Sequence, residues 1–340
     1  MQIAELRTET AEWDAFVRSA PEGTPFHLTA WKRAVEESFG HRPHYLMARR
    51  AGSLEGVLPL FEVPGWPGGR RLVSVPYGVY GGICAATPEA RLALLQAAET
   101  LARRRGAQYV ELRNLQEQGL PLPTKELYVT FAREISSDDE KNFEAIPRKQ
   151  RRMIRQGIKH ALRADIGRDT LDPFYEIYAH SLRNLGSPVF PRALLGAILT
   201  AFGEECQILT VRHEGKMVAG VLTLFYEDRV LPYYGGALRE AFPYAVNDFM
   251  YWELMRYAAK QGCRFFDFGR SRVGTGPYDF KRHWGFEPRP LPYQYLLVRA
   301  GSVPDVNPSN PRLRWAIRGW QRMPLGLTKW LGPRLTRYLP

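Results

Sequence analysis

An internal repeat is the feature that most constrains the fold of this chain. GVLPLF at residues 56–61 recurs as GVLTLF at 220–225, YGG at 80–82 recurs at 234–236, and GAQYVELRN at 106–114 is echoed by GCRFFDFGR at 262–270. The two members of each pair lie about 160 residues apart, as a tandem duplication requires. The sequence therefore predicts two copies of one folding unit.

Both copies have the same predicted order of elements. A β-hairpin comes first, over 45–50 with 54–62 in one copy and over 208–213 with 216–226 in the other. An amphipathic helix follows, ends at Gly106 or Gly262, and precedes a further strand. We expect a mixed α/β (α+β) fold with a first domain over 1–135, a second over 136–300 and a C-terminal tail over 301–340.

The segment between the two copies is predicted to be helical. Ser137 with Glu140 has the spacing of a capping box and opens a helix that leads into a basic stretch. Asp172 and Pro173 start another helix.

Length and composition are those of an ordinary globular protein. The 340 residues are 45% hydrophobic and 24% charged, which is enough for two cores. No signal-peptide h-region opens the sequence and no apolar stretch is long enough for a membrane span, so a cytoplasmic protein is expected. Cys84, Cys206 and Cys263 are widely spaced, which favours buried thiols and argues against disulfides or a metal site.

The formal net charge of +12 predicts an anionic partner, and one concentration of cations lies between residues 148 and 163. This stretch contains no acid, and on a helix one face carries Arg148, Arg152, Arg155, Lys159 and Arg163 while Ile154, Ile158 and Leu162 form an apolar face. The cations are Arg148, Lys149, Arg151, Arg152, Arg155, Lys159 and Arg163. This face binds a phosphate-bearing substrate or polyanion, or it is only solvated.

The second concentration of cations is the tail from Pro311, where seven cations alternate with Trp315, Trp320 and Trp330. Cations beside tryptophan are typical of a segment lying on anionic lipid. The alternative is a helix that packs its tryptophans on the body of the protein.

The densest polar and aromatic cluster is FDFGRSRVGTGPYDFKRHWGFEP, residues 266–288. A short strand is followed by glycines and a proline that break regular structure, and then by Tyr278, Lys281, His283 and Trp284. The first copy has no such cluster, so we expect the active site in the second domain. A rigid surface loop is the alternative.

These motifs resemble the FemAB family, whose members have a tandem GNAT-like fold. DFGRS, the Gly-x-Gly-x-Tyr-x-Phe-Lys run and WGFEP are similar to the FemAB-like subgroup associated with exosortase and PEP-CTERM systems, as are LRNLGSPVFP, LPYYGGALREA and NDFMYWELMR. The resemblance covers nearly all of residues 1–300.

By this resemblance, the chain is an acyl or aminoacyl transferase that forms an amide on an amine acceptor in a cell-envelope or exopolysaccharide pathway. Phe280 and Lys281 match a Phe-Lys pair near the tRNA acceptor end, and Arg148 to Arg155 match a basic helix that precedes the second domain. The co-substrate is acyl-CoA or aminoacyl-tRNA, with no tightly bound cofactor. Ser271 stands where the acyl-CoA pyrophosphate motif R-x-x-G-x-G has arginine, so the donor stays open.

Acyl transfer to an amine needs a group that accepts the amine proton and a donor that stabilises the oxyanion. Lys281 is the candidate for the oxyanion, Asp267 for the proton, and Tyr278 for a hydrogen bond. The alternative for Lys281 is an ion pair on the surface. The alternative for Asp267 is an ion pair with Arg270 or Arg272, and that for Tyr278 is packing. Further candidates for binding substrate are Arg148, Arg151, Arg152, Arg155, Tyr233, Tyr234, Asp248, Arg270 and Phe280. Tyr233, Tyr234 and Asp248 are expected to line the same cleft together with Asn247, which is favoured as a helix cap over a ligand.

The expected partners are an anionic, nucleotide-linked or lipid-linked substrate, tRNA, and the inner membrane through the tail. The rival hypothesis is a non-catalytic protein with the same fold that binds a polyanion or a membrane surface.

Overall fold

A computed structural model describes residues 1–65, 68–304 and 311–339, with the side chains of 311–314 left out. The helices are α1 Thr10–Ser19, α2 Thr29–Phe39, α3 Pro88–Arg105, α4 Asp139–Glu144, α5 Arg148–Lys159, α6 Leu171–Leu185, α7 Arg192–Phe202, α8 Val246–Lys260, α9 Gly276–His283, α10 Pro311–Arg322 and α11 Leu325–Thr336. The strands up to residue 134 are β1 Gln2–Glu5, β2 Arg42–Arg50, β3 Ser53–Pro64, β4 Arg70–Ser74, β5 Cys84–Ala85, β6 Tyr109–Arg113, β7 Thr124–Lys125, β8 Tyr128–Thr130 and β9 Ala132–Glu134. The later strands are β10 Arg163–Gly167, β11 Cys206–His213, β12 Lys216–Tyr226, β13 Arg229–Ala237, β14 Phe265–Asp267, β15 Ser271–Arg272, β16 Arg289–Pro290 and β17 Tyr293–Leu297.

The chain divides into two compact units. The first comprises Met1–Tyr128, Pro290–Val306 and Leu335–Pro340, and the second comprises Val129–Arg289 and Asn307–Arg334. The first therefore takes in part of the segments predicted as a second domain, 136–300, and as a tail, 301–340.

The sheet of the first unit follows the order β1-β2-β3-β4-β6-β17-β7, with β5 paired to β3. Neighbouring strands are antiparallel except β4 and β6, which run parallel with Leu72 opposite Val110. Helix α3 connects β4 to β6 and buries Leu94, Ala98 and Leu101, three of the residues on its predicted apolar face. It ends at Gly106, whose φ of +67° is the left-handed conformation that glycine adopts most easily.

The second unit repeats this plan. Its sheet follows the order β10-β11-β12-β13-β14-β9, in which only β13 and β14 are parallel, and α8 is the helix that connects them. In both units two helices precede the central hairpin, α1 and α2 in the first and α6 and α7 in the second. The predicted duplication and mixed α/β fold are confirmed.

Each sheet contains one strand from the segment that follows the other copy. Strand β9 follows the first copy and pairs with β14 in the second unit, while β17 follows the second copy and pairs with β6 in the first unit. The sequence analysis did not predict this exchange.

Two local predictions are wrong. The cap of α4 is Asp138, whose side chain accepts from the backbone N–H groups of Glu140 and Lys141, and not Ser137. Asn247 does not cap α8, since Ala245 is the residue before its first turn and Asn247 lies within that turn.

The three cysteines are buried and free, as predicted. In the part of the chain that the structure describes, no cluster of His, Cys, Asp and Glu has metal-binding geometry. None of the helices described there has the length and apolar character needed to cross a membrane.

Candidate active site

A gap between two parallel strands of the second unit forms a cleft. Strand β13 pairs with β12 as far as Ala237, but with β14 only at Arg229 and Val230. Beyond Val230 the two strands separate, and a cleft of about 280 Å³ opens beside the end of β13. The walls come from β13, α6, α8, α9 and Phe268, which directly follows β14.

Glycine at the end of β13 lets α6 form one wall of the cleft. A Cβ atom on Gly236 would lie 2.9 Å from the Cβ of Ser181 and 3.0 Å from the Cα of Tyr178. Both atoms belong to α6, so any larger residue at 236 must push this helix away. The second glycine of the repeated YGG motif is therefore required here by helix packing.

The lining of the cleft is mostly apolar. Met250, Phe268 and Phe280 line its interior, and the Phe280 ring lies 6.3 Å from the Phe268 ring. Leu185 and Phe242 line it as well and remain 62% and 50% exposed, respectively. Such a cleft favours a ligand with a substantial apolar portion.

Three polar side chains in the cleft are free to bind a ligand. Ser181, Asn247 and Tyr251 line it, and within the described residues none of their side chains makes a hydrogen bond. Burial raises the pKa of Tyr251 to about 12, so its hydroxyl stays protonated at neutral pH. Asn247 can hold a carbonyl oxygen, and Tyr251 can donate a proton.

Lys281 lines the cleft, but its ammonium group is already fully bonded. The Nζ atom donates to the carbonyl oxygens of Phe268 at 2.7 Å, Gly269 at 3.0 Å and Arg270 at 3.1 Å. Burial lowers the pKa of Lys281 to about 7, while the charge of Asp267 opposes this shift. Three carbonyl acceptors account for all three N–H donors of an ammonium group, so Lys281 first of all fixes the turn after β14.

Asp267 lies at the end of β14, buried next to the same turn. Its Oδ1 accepts from the backbone N–H of Gly269 at 2.7 Å and from the hydroxyl of Thr130 at 3.4 Å. These bonds stabilise a carboxylate. It does not line the cleft, and its predicted role as proton acceptor stays a prediction. Arg270 contributes its carbonyl oxygen to Lys281, and its side chain is not part of the cleft wall.

The predicted tyrosines pack beside the cleft. Tyr278 sits edge-on to Phe131 at 5.5 Å. Tyr234 is buried, 5.8 Å from Tyr178, and Tyr233 sits edge-on to it at 4.6 Å. None of the three predicted tyrosines lines the cleft.

Asp248 is buried one residue after Asn247 and does not line the cleft. Its Oδ1 accepts from Nε1 of Trp284 at 3.0 Å. Burial raises the pKa of Asp248 to about 6, and the Trp284 bond and the charge of Lys149 oppose this shift. The contact connects α8 to the end of α9.

The predicted basic face lies along α5, away from the cleft lining. Arg148, Arg152 and Arg155 are exposed, whereas Nε of Arg151 is buried without a hydrogen-bond partner. Across the described chain, no carboxylate forms an ion pair with a cation of this face, and Arg155 stacks on the Phe143 ring at 5.1 Å.

The apolar side of α5 differs from the prediction at Ile158, which is 54% exposed, while Ile154 is buried. Gly157 lies on the buried side of α5. A Cβ atom at this position would lie 2.7 Å from that of Phe249, so Gly157 permits close packing of α5 on α8.

Sequence reasoning missed Tyr251 and Met250; it placed Asn247 in the cleft, where the structure has it, but favoured a helix cap over a ligand. All three lie on one face of α8, at positions i, i+3 and i+4 of the NDFMYWE run. The sequence signal that could have identified Tyr251 is this helical spacing, which places it on the same face as the polar Asn247.

Residues 148–282 match the acetyltransferase (GNAT) domain family. A search of the curated proteins finds no match.

Several solved structures have a similar fold. FemX is 16% identical and has a TM-score of 0.68, over 88% of this chain and 98% of FemX. A tandem GNAT protein from the clavulanic acid biosynthesis pathway is 12% identical with a TM-score of 0.57, over 89% of this chain and 99% of that one. The C-terminal domain of a protein described as a lysylphosphatidylglycerol synthetase, from Agrobacterium fabrum, is 13% identical with a TM-score of 0.56. This similarity covers 86% of this chain and 92% of that one. The chain therefore has a tandem GNAT-like fold, and residues 148–282 carry a GNAT acetyltransferase domain whose match supports an acyltransferase.

Proposed function

We propose that the second unit transfers an acyl group from a CoA thioester to an amine acceptor and forms an amide. The observation that carries this proposal is the cleft beside the separated end of β13, where Asn247 and Tyr251 have no other hydrogen-bond partner. The match to a GNAT acetyltransferase domain, which covers the whole cleft, supports the reaction class. CoA is in this proposal a co-substrate that binds and leaves, and the reaction takes place in the cytoplasm.

The end of β13 gives the donor an extended binding surface. The register of β13 with β14 ends at Val230, and further along β13 the backbone of Gly235 and Gly236 lines the cleft, where it can bind an extended amide-containing chain. The apolar side chains Met250, Phe268 and Phe280 surround the acyl group in this arrangement. The side-chain amide of Asn247 donates to the thioester carbonyl oxygen.

Transfer then follows from the placement of an uncharged amine beside this carbonyl. The amine nitrogen forms a bond to the carbonyl carbon, and the carbon–sulfur bond breaks. Tyr251 gives its proton to the departing sulfur, because burial keeps its hydroxyl protonated at neutral pH. The proton that the amine loses on becoming an amide restores Tyr251.

Lys281 keeps the loop after β14 in place in this mechanism. Direct stabilisation of an oxyanion by Lys281 requires one of its three bonds to a carbonyl to break first. We therefore assign Lys281 and Asp267 to positioning. Their direct participation is the alternative that mutagenesis must decide.

The specific donor and pathway are separate proposals. The cations of α5, which form no ion pair with a carboxylate among the described residues, favour an acceptor or donor that carries phosphate. The resemblance of Phe280 and Lys281 to a Phe-Lys pair near the tRNA acceptor end makes aminoacyl-tRNA the second candidate for the donor. For the acceptor we propose an amine of a cell-envelope or exopolysaccharide precursor, in line with the resemblance of the sequence motifs.

Tyr251→Phe tests the mechanism. Turnover of acetyl-CoA and longer acyl-CoAs is measured with a panel of amino sugars and amino acids, and CoA binding by calorimetry. We expect kcat to fall by about 100-fold, with CoA affinity changed by less than about twofold. Tyr257→Phe is the matched control, since Tyr257 lies on the same helix and bonds to Gln207 outside the cleft.

The same experiment separates the alternatives. If the wild-type protein binds aminoacyl-tRNA and no CoA, the proposed donor is wrong, but the proposal that the cleft is the active site is unaffected. If it turns over no donor and binds only polyanions through α5, the non-catalytic hypothesis replaces this one.

A further inference from the structure

The C-terminal segment from Pro311 combines positive charge with exposed tryptophan. Residues 311–340 contain no Asp or Glu and seven cations: Arg312, Arg314, Arg318, Arg322, Lys329, Arg334 and Arg337. The side chains of Arg312 and Arg314 lie outside the described residues. The segment forms helices α10 and α11, and the second unit includes it up to Arg334.

One side of these helices is packed against the second unit. A Cβ atom on Gly186 would lie 2.4 Å from Cγ2 of Ile317, and Trp320 is buried. On α11, Lys329 pairs with Glu176, and Thr328 is buried. The orientation of both helices is therefore fixed, and the prediction that tryptophan packs on the body holds for Trp320.

The other side presents apolar and cationic side chains to solvent. Trp315 is 74% exposed, Trp330 56% and Leu327 42%. Arg318 lies over the ring of Trp315 at 5.7 Å, and Arg334 lies over that of Trp330 at 4.1 Å. Exposure of two tryptophans on fixed helices is costly in water unless a further surface covers them.

We propose that this outward side of α10 and α11 is a docking surface for an anionic lipid bilayer. Tryptophan and leucine enter the region between headgroups and acyl chains, while arginines beside them meet lipid phosphates. Charge complementarity selects a lipid surface, because the segment carries seven cations without a single acid. Each cation near such a surface strengthens binding by about fivefold.

The mouth of the cleft lies beside this surface. Gln321 of α10 donates to the carbonyl oxygen of Asn184 at 3.1 Å, and Arg239 donates to the same oxygen at 3.0 Å. The next residue, Leu185, lines the cleft and is mostly exposed. Docking through α10 thus brings the cleft entrance close to the bilayer.

Co-sedimentation of the full-length protein with phosphatidylcholine vesicles, with and without phosphatidylglycerol, tests the proposal. We expect binding that needs phosphatidylglycerol and weakens with salt. The pair Trp315→Ala and Trp330→Ala should reduce it about tenfold or more, and so should Arg318→Glu with Arg334→Glu. Because these side chains are exposed, the melting temperature should change by only a few degrees.

Leu92→Ala with Arg104→Glu is the matched control, since it removes an exposed leucine and an exposed cation from α3. This variant should bind like the wild type. Equal binding by all variants overturns the proposal. The proposal is also overturned if the variant with Trp315→Ala and Trp330→Ala loses binding to single-stranded RNA but still binds vesicles. It is overturned as well if the wild-type protein is a dimer that only this variant disrupts. Because this experiment measures vesicle binding and no enzymatic activity, its result does not depend on whether the proposed transfer reaction is correct.

Discussion

Replacing Lys281 by methionine tests whether burial or hydrogen bonding controls the charge of this side chain. Burial lowers its pKa to about 7, from 10.5 in an unfolded chain. Between these values the unfolded state binds more protons than the folded state, so the free energy of unfolding rises with pH. The rise begins as pH passes the folded pKa and ends above the unfolded pKa.

The expected magnitude follows from these two values. Each unit of difference corresponds to about 1.4 kcal/mol, so between about pH 6.5 and about pH 9.5 the side chain contributes a rise on the order of 3 kcal/mol. In the Lys281→Met variant this rise in the free energy of unfolding should be absent. The three hydrogen bonds to carbonyl oxygens favour the ammonium form, so they oppose the lowering of the pKa by burial, and each such charged hydrogen bond contributes about 1.5–3 kcal/mol.

Urea denaturation of both proteins across this pH range is the assay. The change with pH is compared, because methionine also leaves three carbonyl oxygens without their donor and shifts the whole curve. Other titrating groups cancel in the difference. Lys260→Met, which removes an exposed lysine at the end of α8, should keep the wild-type profile. If Lys281→Met and the wild type show the same pH dependence, the carbonyls hold the ammonium charged and the burial argument is wrong.

Two further predictions concern α6 and α5. Gly236→Ala should lower the free energy of unfolding by about 1–3 kcal/mol in chemical denaturation, because its Cβ would lie 2.9 Å from that of Ser181; Gly276→Ala, whose Cβ meets nothing within 4 Å, is the control, and equal losses would contradict the packing argument. Charge reversal of the exposed Arg148, Arg152 and Arg155 to Glu should weaken binding of CoA or tRNA in a salt-dependent way with little change in melting temperature. Unchanged affinity in calorimetry would show that this face is only solvated.

The sequence predicted what depends on short-range pattern. Both hairpins and the two helices that end at glycine follow from residue spacing within about 20 positions. The duplication was visible because its motifs lie in equivalent strands, such as GVLPLF in β3 and GVLTLF in β12. The YGG motif is less equivalent, since its first copy lies in the loop after β4 and its second copy lies in β13.

The cleft was harder to predict because it depends on where strand pairing stops. Pro232 in β13 has no backbone N–H to donate, but its presence alone does not tell that the pairing with β14, rather than with β12, ends at Val230. The dense cluster predicted a site at Lys281 and Asp267, whose hydrogen bonds hold the turn after β14. Tyr251, whose hydroxyl makes no hydrogen bond among the described residues, lines the cleft from a different segment, α8. The capping error at Ser137 arose because Asp138, one residue later, is an equally good cap and has better geometry.

The position of β17 has a consequence for how the chain folds during synthesis. Strand β6 is complete at Arg113, but its antiparallel neighbour ends at Leu297, about 180 residues later. At synthesis rates of about 5–20 residues per second, the ribosome needs on the order of 10–40 s to supply it. Until then one edge of β6 is open, and a nascent chain released early carries an unsatisfied sheet edge. Truncated products of this protein should therefore be recognised by chaperones or aggregate, even when they contain the whole N-terminal copy.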